Sequence, residues 1–205
     1  MAGPIAASAL ALLPLLSASI QQYWPEIPAR SVLAAQVEQE SGWRTAATLR
    51  TGRELGAGLG QFTRAYRADG SVRFDAIAEL SAAHPELRGW SWANAYDPRF
   101  QLAAVVLKNR TSYRAISWAD STEDRMAMMD AAYNSGLGSV IKRRARCKAV
   151  VGCMPGRWFG HLEQSSTQSK SRVQGYGQSF ADITNTHVRN VMVVRRPKYK
   201  IYFKE

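Results

Sequence analysis

Apolar positions recur at helical spacing along most of the chain, and the elements they predict are mainly α. Residues 5–22 read as one helix, bent at Pro14, with Pro25 and Pro28 breaking the chain after it. Ser31 is the expected N-cap of a helix that runs to Ser41, and Gly42 is its stop. Residues 44–70 hold Gly52, Gly56, Gly58, Gly60 and Gly70, a density that predicts a loop or short strands. A helix follows from Asp75 to His84, ended by Pro85. Asp97-Pro98 opens another, with Phe100, Ala103, Ala104 and Leu107 on one face. Thr122 or Glu123 starts a helix through Met126, Met129 and Tyr133, closed by Gly136. In the less periodic tail, Ser165 to Ser171 reads as an exposed loop, 180–194 as a last helix, and Lys200 to Phe203 as an extended end. No repeat and no run suited to a large sheet is present.

The 205 residues are enough for one domain with a real core, and a composition with 46% hydrophobic and 21% charged residues excludes wholesale disorder. Charge changes the picture. Residues 1–137 carry 13 basic and 13 acidic side chains, whereas residues 138–205 carry 14 and 3, which supplies the whole net charge of +11. The expected organisation is a single domain over 1–205, its first two thirds a neutral body and 138–205 a basic extension packed on it. Such an extension suits an anionic partner.

Cys147 and Cys153 are close enough in sequence to be bridged or to stay as two thiols. His84, His161 and His187 lack metal-ligand spacing, so no metal is expected. The uncharged run Ile5 to Ile20 has no preceding Lys or Arg and is short for a span, which needs about 20 apolar residues. It is read as a buried first helix, and the chain as one made in the cytoplasm and released by other means.

Glu40 is the first candidate for chemistry. It shares a helix face with Leu33 and Val37, the apolar face. Desolvation and the negative end of the helix both favour its protonated form, which a general acid requires. The plainer alternative is a surface pair with Arg44. A second feature is Gly56-Ala57-Gly58-Leu59-Gly60-Gln61-Phe62, where missing side chains admit a chain-like ligand and Gln61 offers an amide. It lacks the ending of a phosphate loop and the setting of a dinucleotide fingerprint. The third is Ala132-Tyr133-Asn134-Ser135-Gly136, a helix end with an aromatic and an amide. Taken singly, Tyr133 in the core and Asn134 as a helix end is the commoner outcome.

These segments, in this order, resemble the soluble lytic transglycosylases and goose-type lysozymes. The Glu-Ser motif is matched by Glu40-Ser41, and the Gly-Leu-x-Gln motif by Gly58-Leu59-Gly60-Gln61, with Gly60 where Met is usual. Ala132-Tyr133-Asn134-Ser135-Gly136 matches the Ala-Tyr-Asn-x-Gly motif. The resemblance covers roughly residues 20–140. Arg53-Glu54-Leu55-Gly56 and the Cys147/Cys153 tail are similar to bacteriophage endolysins.

The resemblance implies a lysozyme-like α-helical fold with a small Gly-rich β region beside an active-site cleft. It implies cleavage of the β-1,4 bond from N-acetylmuramic acid to N-acetylglucosamine in peptidoglycan, for host cell lysis, by a monomer acting in the periplasm or wall without a cofactor. Glu40 would be the catalytic acid, with Ser41, Gln61, Tyr133 and Asn134 binding substrate or supporting the site. Two outcomes stay open: with one acid inside a motif the sequence leans to non-hydrolytic cleavage that closes an anhydro ring, the endolysin likeness leans to a muramidase, and a hydrolase is usually helped by a second carboxylate. Glu54 is the nearest acid to the Gly-rich segment, followed by Asp69; a pair of Glu54 with Arg50 or Arg53 is the plainer reading. Anionic wall or outer-membrane surface would be drawn to Lys142, Arg143, Arg144, Arg146 and Lys148, with Arg195, Arg196, Lys198 and Lys200.

Two other classes compete. One is a nucleic-acid-binding protein stacking bases on Trp158, Phe159, Tyr176, Tyr199 and Tyr202; it leaves Glu40 and the three motifs unexplained, so no nucleic acid is expected. The other is a virion-associated protein that opens the wall during entry.

Overall fold

A computed structural model describes residues 4–169, 171 and 177–205. The chain is mainly helical with one small antiparallel sheet. Two compact units form, Met1–Lys108 with Lys198–Glu205, and Asn109–Pro197. The units therefore do not divide at residue 138, where the charge changes. Thirteen basic and ten acidic residues fall in the first unit, fourteen and six in the second.

The first unit opens with α1 (Ala7–Tyr23), which packs on α2 (Arg30–Ser41). α1 buries one stripe, Ala9, Leu13, Leu16 and Ile20, and leaves Leu10 half exposed. It is one-faced rather than buried throughout, which is why Pro14 is tolerated on its outer side. Among the described residues no helix is long and apolar enough to cross a membrane.

Ser31 does not cap α2. Ala29 is the cap residue and has no side-chain bond to offer. Both the N–H and the hydroxyl of Ser31 donate to the Glu205 carboxylate, at 3.2 and 2.5 Å. An acid supplied from the far end of the chain thus sits at the positive end of α2.

The Gly-rich segment forms β1 (Thr48–Arg50), β2 (Glu54–Ala57), β3 (Phe62–Tyr66) and β4 (Val72–Asp75), an antiparallel meander in chain order. Asp75 ends β4 and caps α3 (Ala76–Ala83) by accepting from Ala78 N–H. It also accepts from Trp92 Nε1 at 3.0 Å and from Arg64 Nε at 2.8 Å, directly opposite on β3. Burial works against its charge, but these donors hold the carboxyl below its usual range. Short 3₁₀ turns at Pro85–Leu87 and Trp92–Asn94 lead to α4 (Pro98–Ala115). α4 is buried on nearly all sides from Gln101 to Leu107 rather than on one face.

The second unit takes the end of α4 and then α5 (Thr122–Ser135) and α6 (Leu137–Lys148). Ser121 caps α5, and Gly136, at φ +83°, ends it and begins α6. α7 (Phe180–Arg189) runs through a π-helical stretch, Asn190–Arg195, into α8 (Arg196–Phe203). The expected extended end at Lys200 to Phe203 is therefore helical. Ser165 and Ser166, expected in an exposed loop, are buried, and Lys170 lies outside the described residues.

Candidate functional site

Glu40 occupies the last turn of α2 and is half-buried, on the face where Leu33 and Val37 are fully buried. Gly42 ends the helix in the left-handed region at φ +59°, and Trp43 follows at φ +62°. A left-handed tryptophan is strained, at a cost of about 1–2 kcal/mol. Burial of its ring and a 2.7 Å bond from Nε1 to the Tyr199 hydroxyl offset this. Lys198, one residue earlier, donates to Glu38. The segment from Lys198 to Glu205 therefore braces α2 at both ends. Ser41 is buried and donates to Val37 O at 3.1 Å, so its hydroxyl supports the helix. Arg44 Nε donates to Ser41 O at 2.9 Å and binds the turn that follows.

The structure adds a group that the sequence reading missed. Lys108, on α4, is half-buried, with Nζ 5.9 Å from the centre of the Phe62 ring. Burial pushes its pKa down to about 8, against the opposing pull of Glu40 and then Glu79. The interaction is mutual: an ammonium here favours the Glu40 carboxylate. Glu79 is exposed on α3 and its charge acts on the same lysine. The signal was a lone lysine inside an otherwise buried helix, where a charge needs a partner.

The turn between β2 and β3 is held by two glutamines. Gln61 Nε2 donates to Ala47 O at 3.1 Å and Gly58 O at 2.9 Å, while its own backbone is left-handed at φ +47°. Buried Gln101 on α4 accepts from Gly60 N–H at 2.9 Å and donates to Ala57 O at 3.2 Å. Gly58, at φ +71°, is required here, because an added Cβ would lie 2.5 Å from the Gln101 amide. The amide hydrogens of Gln61 shape the turn, while its Oε1 lies against Gly56. A Cβ on Gly56 would lie 2.9 Å from that oxygen.

The acids expected as second carboxylates fare differently. Glu54 lies 3.9 Å from Arg73 on β4, a partner the sequence reading did not consider. It lines an open cavity of about 360 Å³ with Arg50, Tyr66 and Arg67. Asp69 accepts from both the hydroxyl and the N–H of Ser71, and these bonds hold its carboxyl below the usual range. It builds the turn between β3 and β4.

Tyr133 and Asn134 belong to the second unit. Tyr133 is buried within α5, and Asn134 is exposed, with Oδ1 accepting from Thr184 at 3.0 Å. Several of the cations expected to face an anionic surface have internal duties instead. Arg143 is fully buried and donates to Leu162 O, Glu163 O and Asn185 Oδ1. Burial lowers its pKa to about 10. Arg144 lies over Trp118, Arg196 donates to Glu123, and Lys198 is committed to Glu38. Lys142, Arg146, Lys148 and Lys200 are exposed. Cys147 and Cys153 are bridged, with Cα atoms 5.4 Å apart. Among the described residues, no group of three or more His, Cys, Asp or Glu could hold a metal ion.

No protein-family model matches the chain, and no curated protein matches it.

Proposed function

We propose that this chain is a peptidoglycan-cleaving enzyme of lysozyme-like fold, serving phage-induced host cell lysis, with Glu40 as its proton donor. The observation that carries this reading is the setting of Glu40. A half-buried acid closes a buried helix, its backbone is fixed by a left-handed turn, and a half-buried lysine acts on its charge. Of the three left-handed residues other than glycine, Gln61 ends the Gly-Leu-x-Gln motif, Trp43 follows Glu40-Ser41 by two positions, and Lys204 lies in neither. Strain of that kind gathers at functional sites.

Glu40 would give its proton to the oxygen bridging the two sugars. The C–O bond breaks, positive charge grows at the anomeric carbon, and Lys108 stabilises the carboxylate left behind. A nucleophilic hydroxyl then adds to that carbon and returns its proton to Glu40. If the hydroxyl is water, the product has a reducing end. If it is the muramic 6-hydroxyl, an anhydro ring closes, and the product is lighter by one water. Substitution of Tyr133 and Asn134 tests whether the second unit contributes to the reaction.

Of the stacking residues of the nucleic-acid alternative, Trp158 and Tyr199 are buried, Phe159 lies against Arg189, and Tyr202 is exposed. Tyr176 lies outside the described residues.

Zymography on purified cell walls, with mass spectrometry of the released muropeptides, tests the proposal. Glu40→Gln should lower the rate at least ~100-fold with unchanged folding. Wild-type digestion by that variant would overturn the assignment.

A further inference from the structure

The second unit carries a feature that wall cleavage does not use. α6 ends in a six-residue step from Cys147 to Cys153, closed by the disulfide. Cys147 is fully buried and anchors it. Within the step, Val150 N–H donates to Cys147 O at 3.0 Å and Cys153 N–H to Val150 O at 3.1 Å. Gly152, at φ +80°, makes the return. This tight loop nevertheless presents apolar side chains to water. Val151 is wholly exposed, Val150 is 52% exposed and Met154 44%. Ile141, further back along α6, is 51% exposed.

The surroundings are cationic. No acid occurs between Asp130 and Glu163, a stretch with six Lys and Arg. Lys142, Arg146 and Lys148 are exposed on or beside the loop. Arg146 also donates to Ser166 O, and exposed Arg157 lies 3.6 Å from Asp120, the acid that faces this group.

We infer that the Cys147–Cys153 loop is a docking tip for an anionic phospholipid bilayer. The valines and Met154 would enter the boundary of the acyl chains while Lys142, Arg146 and Lys148 meet lipid phosphates. A polysaccharide would attract the cations but has no apolar layer to receive the valines. A second copy of this chain would set like charges against each other. The disulfide fixes the tip before contact, so little ordering is lost on binding. The inference uses none of the residues on which the assignment of Glu40 rests, and either reading can fail without the other.

The test is co-sedimentation of the full chain with vesicles. Binding is expected to vesicles containing phosphatidylglycerol, not to pure phosphatidylcholine, and to weaken at ~0.5 M salt, where screening is strong. The double variant Val150→Ser/Val151→Ser should bind about tenfold more weakly or worse, with unchanged thermal unfolding and wall cleavage. Lys142→Glu/Lys148→Glu should weaken vesicle binding as much with unchanged thermal unfolding, and it stands as a second probe if the first variant misfolds. Hydrogen exchange at residues 148–154 should slow on vesicles. Wild-type binding by both variants, equal binding to neutral vesicles, or no binding at all would overturn the inference. So would a concentration-dependent dimer that the valine substitutions abolish.

Discussion

The Glu205 carboxylate accepts from both the N–H and the hydroxyl of Ser31, 174 positions earlier, and so completes the N-terminus of α2. Glu205→Ala should cost about 1 kcal/mol, the usual worth of a helix cap. Thermal unfolding measures it, and faster amide exchange in the first turn of α2 localises it. Unaltered exchange there would argue that Ser31 finds another partner.

Lys108 sets a second expectation. Its ammonium favours ionised Glu40, so removing it should make the proton harder to lose. In Lys108→Met, the alkaline limb of the pH–rate profile for wall clearing should move up by about one pH unit. Lys108→Arg keeps the cation and should leave the limb near its original place. Identical profiles for wild type and Lys108→Met would separate this lysine from the reaction.

Asp75 gives a pH dependence of stability. It titrates lower in the folded chain than its ordinary 3.8. Its contribution is therefore fully present above that value and disappears as pH falls below it. Asp75→Asn should cost about 1–3 kcal/mol in urea unfolding near neutrality. That gap should narrow in strong acid. A gap independent of pH would mean that charge is not what the donors recognise.

Arg143 and Lys142 are neighbours on α6 with opposite expectations. Arg143→Met strips two carbonyls and the Asn185 amide of their donor and should cost about 2–4 kcal/mol. Exposed Lys142→Met should change stability by less than about 0.5 kcal/mol. Similar urea midpoints for the two would show that burial at Arg143 is not structural.

Local signals in the sequence were reliable guides. Gly42 ends α2, Asp75 starts α3, Asp97-Pro98 opens α4, and Gly136 closes α5, because each acts within a few residues. The strands were harder to read, since runs of three to five residues are too short for alternation to show. Long-range pairings left no local mark: Glu205 with Ser31, Tyr199 with Trp43, and Lys108 with Glu40. Which cations of the basic tail face water was hidden for a related reason. A run such as Lys142-Arg143-Arg144 looks uniform as text, yet successive side chains on a helix point in different directions. Arg143 therefore enters the interior while Lys142 stays in water. Of the candidate site, Glu40 was a candidate from the sequence and the lysine that acts on it was not.

The paired left-handed residues Gly42 and Trp43 have a mechanical meaning for the acid just before them. A frayed helix end could slide by one position and rotate its last side chains by a quarter turn or more. Here the reversal is pinned by an indole sealed in the interior, so the register of α2 is locked. What freedom Glu40 retains is confined to its own side-chain torsions, and in the proposed reaction aiming its proton would be a matter of rotamers alone.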